Sequence, residues 1–168
     1  CALPIWEGLE GAIAGTAAAT ERFHGTLEPF ASEAVYFVVT DRFVNGDPSN
    51  DHRDQGGSDA LRTFDRPLAP CDGEVGNVGY LGGDFRGLLD NAAYIRDLGF
   101  TAVWLTPIID NPDQAFSGGD VITCDGFLTD RGKTGYHGYW GVNFYALDEH
   151  LPSADLDFAG LTGGLRAQ

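Results

Sequence analysis

The chain has 168 residues, 43 % hydrophobic and 21 % charged, which is enough apolar content to bury a core and too much for a disordered tail. Its 25 acidic against 10 basic residues give a net charge of -15, which argues against nucleic acid or an anionic membrane as partner, since both select clustered Lys and Arg. The acid excess permits a neutral ligand and leaves carboxylates free for a hard cation, although a merely soluble surface has the same composition.

Length fits one domain. No apolar run approaches the roughly 18 residues a membrane helix needs. Cys1 to Gly15 lacks the basic start and continuous apolar stretch of a signal peptide. Residues 1–30 alternate small residues with Gly and Thr without a period and read as a leader or linker. Cys1 could be the lipid-bearing residue of a lipoprotein. The duller reading is that Cys1-Ala2-Leu3-Pro4-Ile5 matches what a common sequencing-library adapter encodes in one frame, so Cys1 is assigned no function.

Residues 31–168 read as the folded part. Ala34 to Val39 is a β-branched and aromatic run, the pattern of a strand buried on both faces in a parallel sheet. From Val44 to Gly83 a stretch rich in Gly, Asp, Asn and Pro is too long for an ordinary connection. Asp84 to Gly99 predicts one helix, with Phe85, Leu88, Leu89, Ala92, Ile95 and Leu98 on one face, Asp84 as cap and Gly99 as stop. Thr101 to Thr106 is a second buried strand, ended by Pro107. Strand, helix and strand in that order make a βαβ unit, hence an α/β fold with parallel strands. A second long loop runs from Pro107 to His150. A short helix is expected within Asp155 to Gln168, weakened by Gly163 and Gly164. Both long loops follow the carboxyl end of a strand, the ligand-binding end in parallel α/β architectures.

Three groups of residues carry candidate chemistry. Tyr136-His137-Gly138-Tyr139-Trp140 packs three aromatic rings and an imidazole around one glycine. Flat rings beside a hydrogen-bonding His suit a ligand with apolar faces and hydroxyl edges, such as a sugar; core filling is the alternative. Asn45, Asp47, Asn50 and Asp51 crowd oxygens into seven residues, as a Ca²⁺ loop or as plain Asx turns, and Gly82 and Asp84 stand where they can close such a site. The EF-hand spacing is absent. Cys71 and Cys124 sit in Gly/Asp/Pro-rich loops without zinc-ligand spacing. Either they form a disulfide in an oxidising compartment, stabilising by roughly 3–4 kcal/mol, or they are free thiols. No nucleophile-elbow or dinucleotide-binding motif is present.

Five stretches then occur in order: Val35 to Phe43 (VYFVVTDRF), Asn45 to Asp51 (NGDPSND), Gly82 to Phe85 (GGDF), Gly99 to Ile108 (GFTAVWLTPI) and Tyr136 to Trp140 (YHGYW). The series resembles the amino-terminal part of the catalytic barrel in the α-amylase family of retaining glycoside hydrolases, which includes cyclodextrin glucanotransferases, and it covers roughly residues 35–168. The resemblance implies an amino-terminal fragment of a (β/α)₈ TIM barrel, about two βα units with long active-face loops. It also implies hydrolysis of α-1,4-glucosidic bonds in starch-type glucans and a secreted or periplasmic location.

Carried over by position, Asn45, Asp47, Asn50, Asp51, the Gly82 carbonyl and Asp84 resemble the family's calcium site. His137 resembles its hydrogen-bonder to the sugar at subsite −1, Tyr139 its stacking platform, and Trp140 a residue of packing or sugar contact. Asn143 departs from the pattern, since many members carry Asp there. The larger departure is that the catalytic pair, about 5–5.5 Å apart in retaining enzymes, and a third essential Asp lie on later strands of the barrel. No catalytic residue is assigned within this chain, although Asp41, Asp110 and Asp148 are tempting. A barrel needs about 250 residues, so the fragment alone is expected to be inactive. A cyclodextrin-forming transglycosylase and a non-enzymatic barrel relative used for interaction share every motif quoted.

Overall fold

The computed structural model describes residues 29–71, 74–120 and 129–168. Ala34 to Gln168 forms one compact unit, and the residues up to Glu33 form another, of which a 3₁₀ turn at Pro29–Ser32 is described. The Cys71–Cys124 pairing and the leader reading of residues 1–30 fall on residues that lie, wholly or in large part, outside the described ones.

The expected βαβ unit is present. Strand β1, Val35–Val38, pairs in parallel with β4, Ala102–Leu105, and the register runs from Val35 opposite Ala102 to Val38 opposite Leu105. Beyond the strands, Thr106 N–H donates to the Val38 carbonyl at 3.1 Å, and Thr40 N–H donates to Thr106 Oγ1 at 3.3 Å. Both strands therefore leave the sheet at the same end.

Between the strands, one expected helix is two. Helix α1, Phe85–Asp90, and helix α2, Ala92–Asp97, meet at Asn91, whose φ of -107° and ψ of 12° leave the helical region. The cause is local: Asn91 Nδ2 donates to the Gly87 carbonyl at 2.7 Å, and such side-chain bonds to nearby backbone compete with the helix ladder. The ends match expectation, with Asp84 accepting from Gly87 N–H at 2.6 Å and Gly99 at φ +93° after the last turn. Helix α3, Phe158–Arg166, is capped by Asp157, which accepts from Gly160 N–H at 2.8 Å. Close approach to α1 favours one of its glycines: a methyl group at Gly164 would stand 2.6 Å from Leu89 Cδ1, whereas Gly163 faces open space.

The core lies between the sheet and these helices. Val38, Phe85, Leu88, Ile95, Leu151, Leu156 and Leu161 are buried, and Tyr36, Val103 and Leu105 pack against them. Leu98, expected on the buried helix face, is exposed, since the chain turns away at Gly99. The strands also differ from the expectation of burial on both faces. Phe37 and Trp104, directly paired across the sheet with ring centroids 6.0 Å apart, are 53 % and 62 % exposed. Among the described residues the helices cover one face of β1 and β4 and leave this one open.

Each long loop contains a small antiparallel pair. In the first, β2 (Pro67–Cys71) pairs with β3 (Glu74–Asn77); in the second, β5 (Ile109–Asp110) pairs with β6 (Asn143–Leu147). Among the described residues, no helix is long and apolar enough to cross a membrane.

Leu88 is fully buried at the centre of this core. Leu88→Ala is expected to destabilise the fold by about 3 kcal/mol, the usual cost of emptying a leucine site. Urea unfolding checks it, and a loss under about 1 kcal/mol would mean that the α1 face is not the packing centre.

Candidate functional site

The loop after β1 is built on buried carboxylates. Asp41 is 3 % exposed and accepts from Leu81 N–H at 2.9 Å and Gly82 N–H at 3.1 Å, with the Arg42 guanidinium beside it. Burial pushes its carboxyl up to about 6, against the pull of Arg42 and the two backbone N–H groups. Asp84 joins the loop to α1. Besides capping the helix, its carboxylate accepts from Gly46 N–H at 3.1 Å and Asp47 N–H at 2.7 Å.

Of the six residues with calcium-like spacing, the structure brings Asn45, Asp51 and Gly82 into direct contact. Asn45 Nδ2 donates to Asp51 Oδ1 at 2.7 Å. Gly82, at φ +87°, passes so close that a methyl group there would lie 2.2 Å from Asn45 Nδ2 and 2.4 Å from Asp51 Oδ1. The left-handed backbone and the lack of room both require glycine. The buried oxygens Asn45 Oδ1 and Asn50 Oδ1 have no hydrogen-bond partner among the described residues. Buried amide oxygens left unpaired are costly, and hard cations are bound through such oxygens. Asp47 is occupied differently. It caps the 3₁₀ turn Pro48–Asn50, accepting from Ser49 N–H at 3.0 Å and Ser49 Oγ at 2.6 Å, and the Ser49 contacts lead in holding its carboxyl below the usual range. Asn50 ties this loop to the segment that leads from β6 to α3, donating to the Pro152 carbonyl at 3.1 Å.

The aromatic stretch lies within the second loop, between β5 and β6, and folds back against the residues that follow β4. Gly138 has φ +81°, and a methyl group on it would fall 2.0 Å from the Pro107 carbonyl, so the bend must be glycine. Asn111 seats the far end, its Oδ1 accepting from Trp140 N–H at 3.0 Å and its Nδ2 donating to the Ile109 carbonyl at 2.7 Å. Tyr139 N–H donates to His137 Nδ1 at 3.0 Å. With Nδ1 as acceptor, the neutral imidazole carries its proton on Nε2, which is thereby a donor. Desolvation, then the Arg42 charge, lowers the His137 pKa, while Asp130 opposes them. The Tyr139 ring, 60 % exposed, presents a free face tilted 33° from the imidazole at 5.8 Å. Trp140 crosses His137 at 89° and 5.2 Å.

Trp140 divides two open clefts. One, of about 490 Å³, is lined by Val78, Asp130, Thr134, Tyr136, His137 and Trp140. The other, of about 470 Å³, is lined by Pro112, Phe116, Asp130, Tyr139 and Trp140. Rings beside donors in an open cleft can stack on the apolar face of a polyol while hydrogen-bonding its edge.

The tempting acids are accounted for otherwise. Asp148 is buried, accepting from Tyr80 OH at 3.0 Å and lying 2.8 Å from His150 Nδ1, and the Tyr80 ring stacks on His150 at 3.8 Å. Asp110 gathers with Asp113 and Glu149, their oxygens all within 4.8 Å of one another. This trio shares no member with the six residues above. Asn143, on β6, accepts from Tyr145 N–H at 3.0 Å. Sequence reasoning missed Arg42, Asn111, Phe116 and the Tyr80–Asp148–His150 network. Arg42 lies inside a quoted motif but gives no sign there of what it touches, and the others owe their places to tertiary contacts.

A family model described as the α-amylase catalytic domain matches residues 37–161. Among curated proteins, a cyclomaltodextrin glucanotransferase of Klebsiella oxytoca is 38 % identical over 82 % of the chain, and an α-amylase of Saccharomycopsis fibuligera is 32 % identical over 76 %. The chain spans 17 % and 19 % of those two proteins. Among solved structures, the cyclomaltodextrin glucanotransferase CldA superposes with a TM-score of 0.55 at 30 % identity, covering 79 % of this chain and 23 % of its own. An α-amylase from Malbranchea cinnamomea gives 0.52 at 32 % identity, covering 82 % and 22 %. The parallel β1–β4 pair, the loops at its carboxyl edge and this match over most of the chain have one reading: the chain belongs to the α-amylase family of glycoside hydrolases.

Proposed function

We propose that the chain is the amino-terminal part of a (β/α)₈ barrel enzyme that hydrolyses α-1,4-glucosidic bonds of starch-type glucans with retention. In this reading residues 1–30 are a leader or linker, residues 31–168 begin the catalytic barrel, and the protein works outside the cytoplasm. The observation that carries it is the His137–Tyr139 pair: a neutral imidazole with Nδ1 occupied and Nε2–H left to donate, beside an exposed phenol ring. A pyranose at subsite −1 stacks on Tyr139 and accepts a hydrogen bond from His137, with Trp140 as the wall between the two clefts. The exposed Phe37–Trp104 face is what a barrel interior supplies to further strands. The share of the relatives that the chain spans supports placing the catalytic carboxylates beyond Gln168.

The residues present fit a Ca²⁺ ion. Asn45, Asn50, Asp51 and the Gly82 carbonyl would hold it, with Asp47 and Asp84 adding carboxylate oxygens that also accept backbone N–H groups. Bound there, the ion supplies positive charge that neutralises the crowded acids and pins the first loop. Asn50 passes that order to the segment before α3 through Pro152. The Klebsiella oxytoca relative favours a second reading, a cyclodextrin-forming transglycosylase, which shares this wall and differs in the acceptor.

Two tests follow from the wall and the ion. In the full-length protein, His137→Ala is expected to lower kcat/KM on maltooligosaccharides by about 10- to 100-fold, the worth of a strong hydrogen bond. An unchanged value would remove His137 from subsite −1, and product analysis in the same assay separates linear from cyclic products. Ca²⁺ at about 100 times its Kd is expected to stabilise the full-length protein by about 2.7 kcal/mol, and a chelator to reverse this. Asp51→Asn should blunt the response; a melting curve indifferent to Ca²⁺ would exclude the site.

A further inference from the structure

Arg42 belongs to none of the roles above, yet three segments converge on it. Its guanidinium carbon lies 3.6 Å from the centroid of the Tyr136 ring. Its Nη1 pairs with the buried Asp41, and its Nη2 donates to the Asn77 carbonyl at 3.1 Å. One planar group thus joins the loop after β1, the end of β3 and the aromatic stretch after β4. Only an arginine makes these contacts together, because its rigid fork hydrogen-bonds in plane while its face stacks on an aromatic ring.

We propose that Arg42 is a positioning residue for substrate binding: by clamping Tyr136 it sets the adjacent His137 imidazole in the orientation that leaves Nε2–H for a sugar hydroxyl. The inference rests on the glucan-binding reading of the wall. Tyr136 and His137 are neighbours in the chain and in space, their rings 5.4 Å apart at 67°. His137 in turn receives Tyr139 N–H on Nδ1. A displaced Tyr136 would carry the imidazole with it and break that bond.

Electrostatics works in the same direction. The charged groups around His137 are Arg42 on the first loop, Asp130 on the turn before the aromatic stretch, and Lys133, which lines the same cleft and pairs with Asp130 at 3.2 Å; Tyr136 and Tyr139 are the titratable rings beside it. Arg42 opposes protonation of the imidazole and Asp130 favours it. Protonation would turn Nδ1 from acceptor to donor and expel Tyr139 N–H. Because the folded pKa lies below 6.5, the His137 contribution to stability is complete above pH 6.5 and is lost as pH falls toward the folded value.

The test uses the full-length protein, with Arg42→Gln and Arg42→Lys, and reads the His137 pKa by histidine-selective NMR alongside KM and kcat on maltooligosaccharides. Arg42→Gln, which keeps amide hydrogen bonding and loses the charge and the stack, should raise the His137 pKa, move the acidic limb of the kcat/KM profile to higher pH, and raise KM by about two- to fivefold with a smaller change in kcat. Arg42→Lys, which restores charge without the planar fork, should return the pKa toward wild type while KM stays raised. If Arg42→Gln fails to fold, an Arg42→Lys protein with wild-type KM overturns the proposal. An unchanged His137 pKa and profile in folded Arg42→Gln overturns it as well. A protein whose His137 pKa responds to Arg42→Gln but which binds no glucan overturns the glucan reading, and with it the role of Arg42 in substrate binding, while leaving the clamp itself in place.

Discussion

The parallel pairing of β1 with β4 is the constraint on which the rest depends. Because the two strands run the same way in a register that ends at Val38 and Leu105, the loops that follow them emerge side by side. Arg42 thereby meets Tyr136, far away in sequence. An antiparallel pairing would put those loops at opposite ends and separate Arg42 from Tyr136. The pairing is driven by apolar burial under α1, α2 and α3. Its cost is two long loops whose polar backbone needs partners elsewhere.

Those partners are mostly buried carboxylates. Asp41 accepts from Leu81 and Gly82, and Asp84 from Gly46, Asp47 and Gly87, so two side chains tie down five backbone N–H groups. In the second loop Asp148 accepts from His150 N–H and joins the Tyr80 and His150 side chains. The acidic composition is thus partly internal scaffolding and not only a soluble surface. It also leaves the loop around Asn45 and Asp51 dense in oxygen, with two buried amide oxygens lacking a partner among the described residues. In the proposed reading a cation balances that arrangement.

Much of this was legible in the sequence, for physical reasons that differ from element to element. The strands and the face formed by Phe85, Leu88, Ala92 and Ile95 were readable because burial imposes periodicity. The caps at Asp84 and Gly99 were readable because helix ends have a narrow chemistry. The break at Asn91 was not, because an Asn inside an amphipathic pattern is tolerated as often as it interrupts. The exposure of Phe37 and Trp104 was also hidden, since an apolar run records that a strand is meant to be covered and not what covers it. At the candidate site, the aromatic stretch and the oxygen-rich loop were visible as residue types at short spacing. Arg42 over Tyr136 and Asn111 beneath Trp140 are contacts across the fold, and no local pattern encodes them.

In the proposed reading, the wall formed by His137, Tyr139 and Trp140 meets a sugar through the His137 Nε2–H. The most direct measurement is the histidine ring NMR spectrum of the full-length protein titrated with a maltooligosaccharide. The expected result is a saturable shift of the His137 resonances, while His150, buried against Tyr80 and Asp148, stays fixed. Binding that saturates by calorimetry while His137 does not move would remove His137 from the sugar contact.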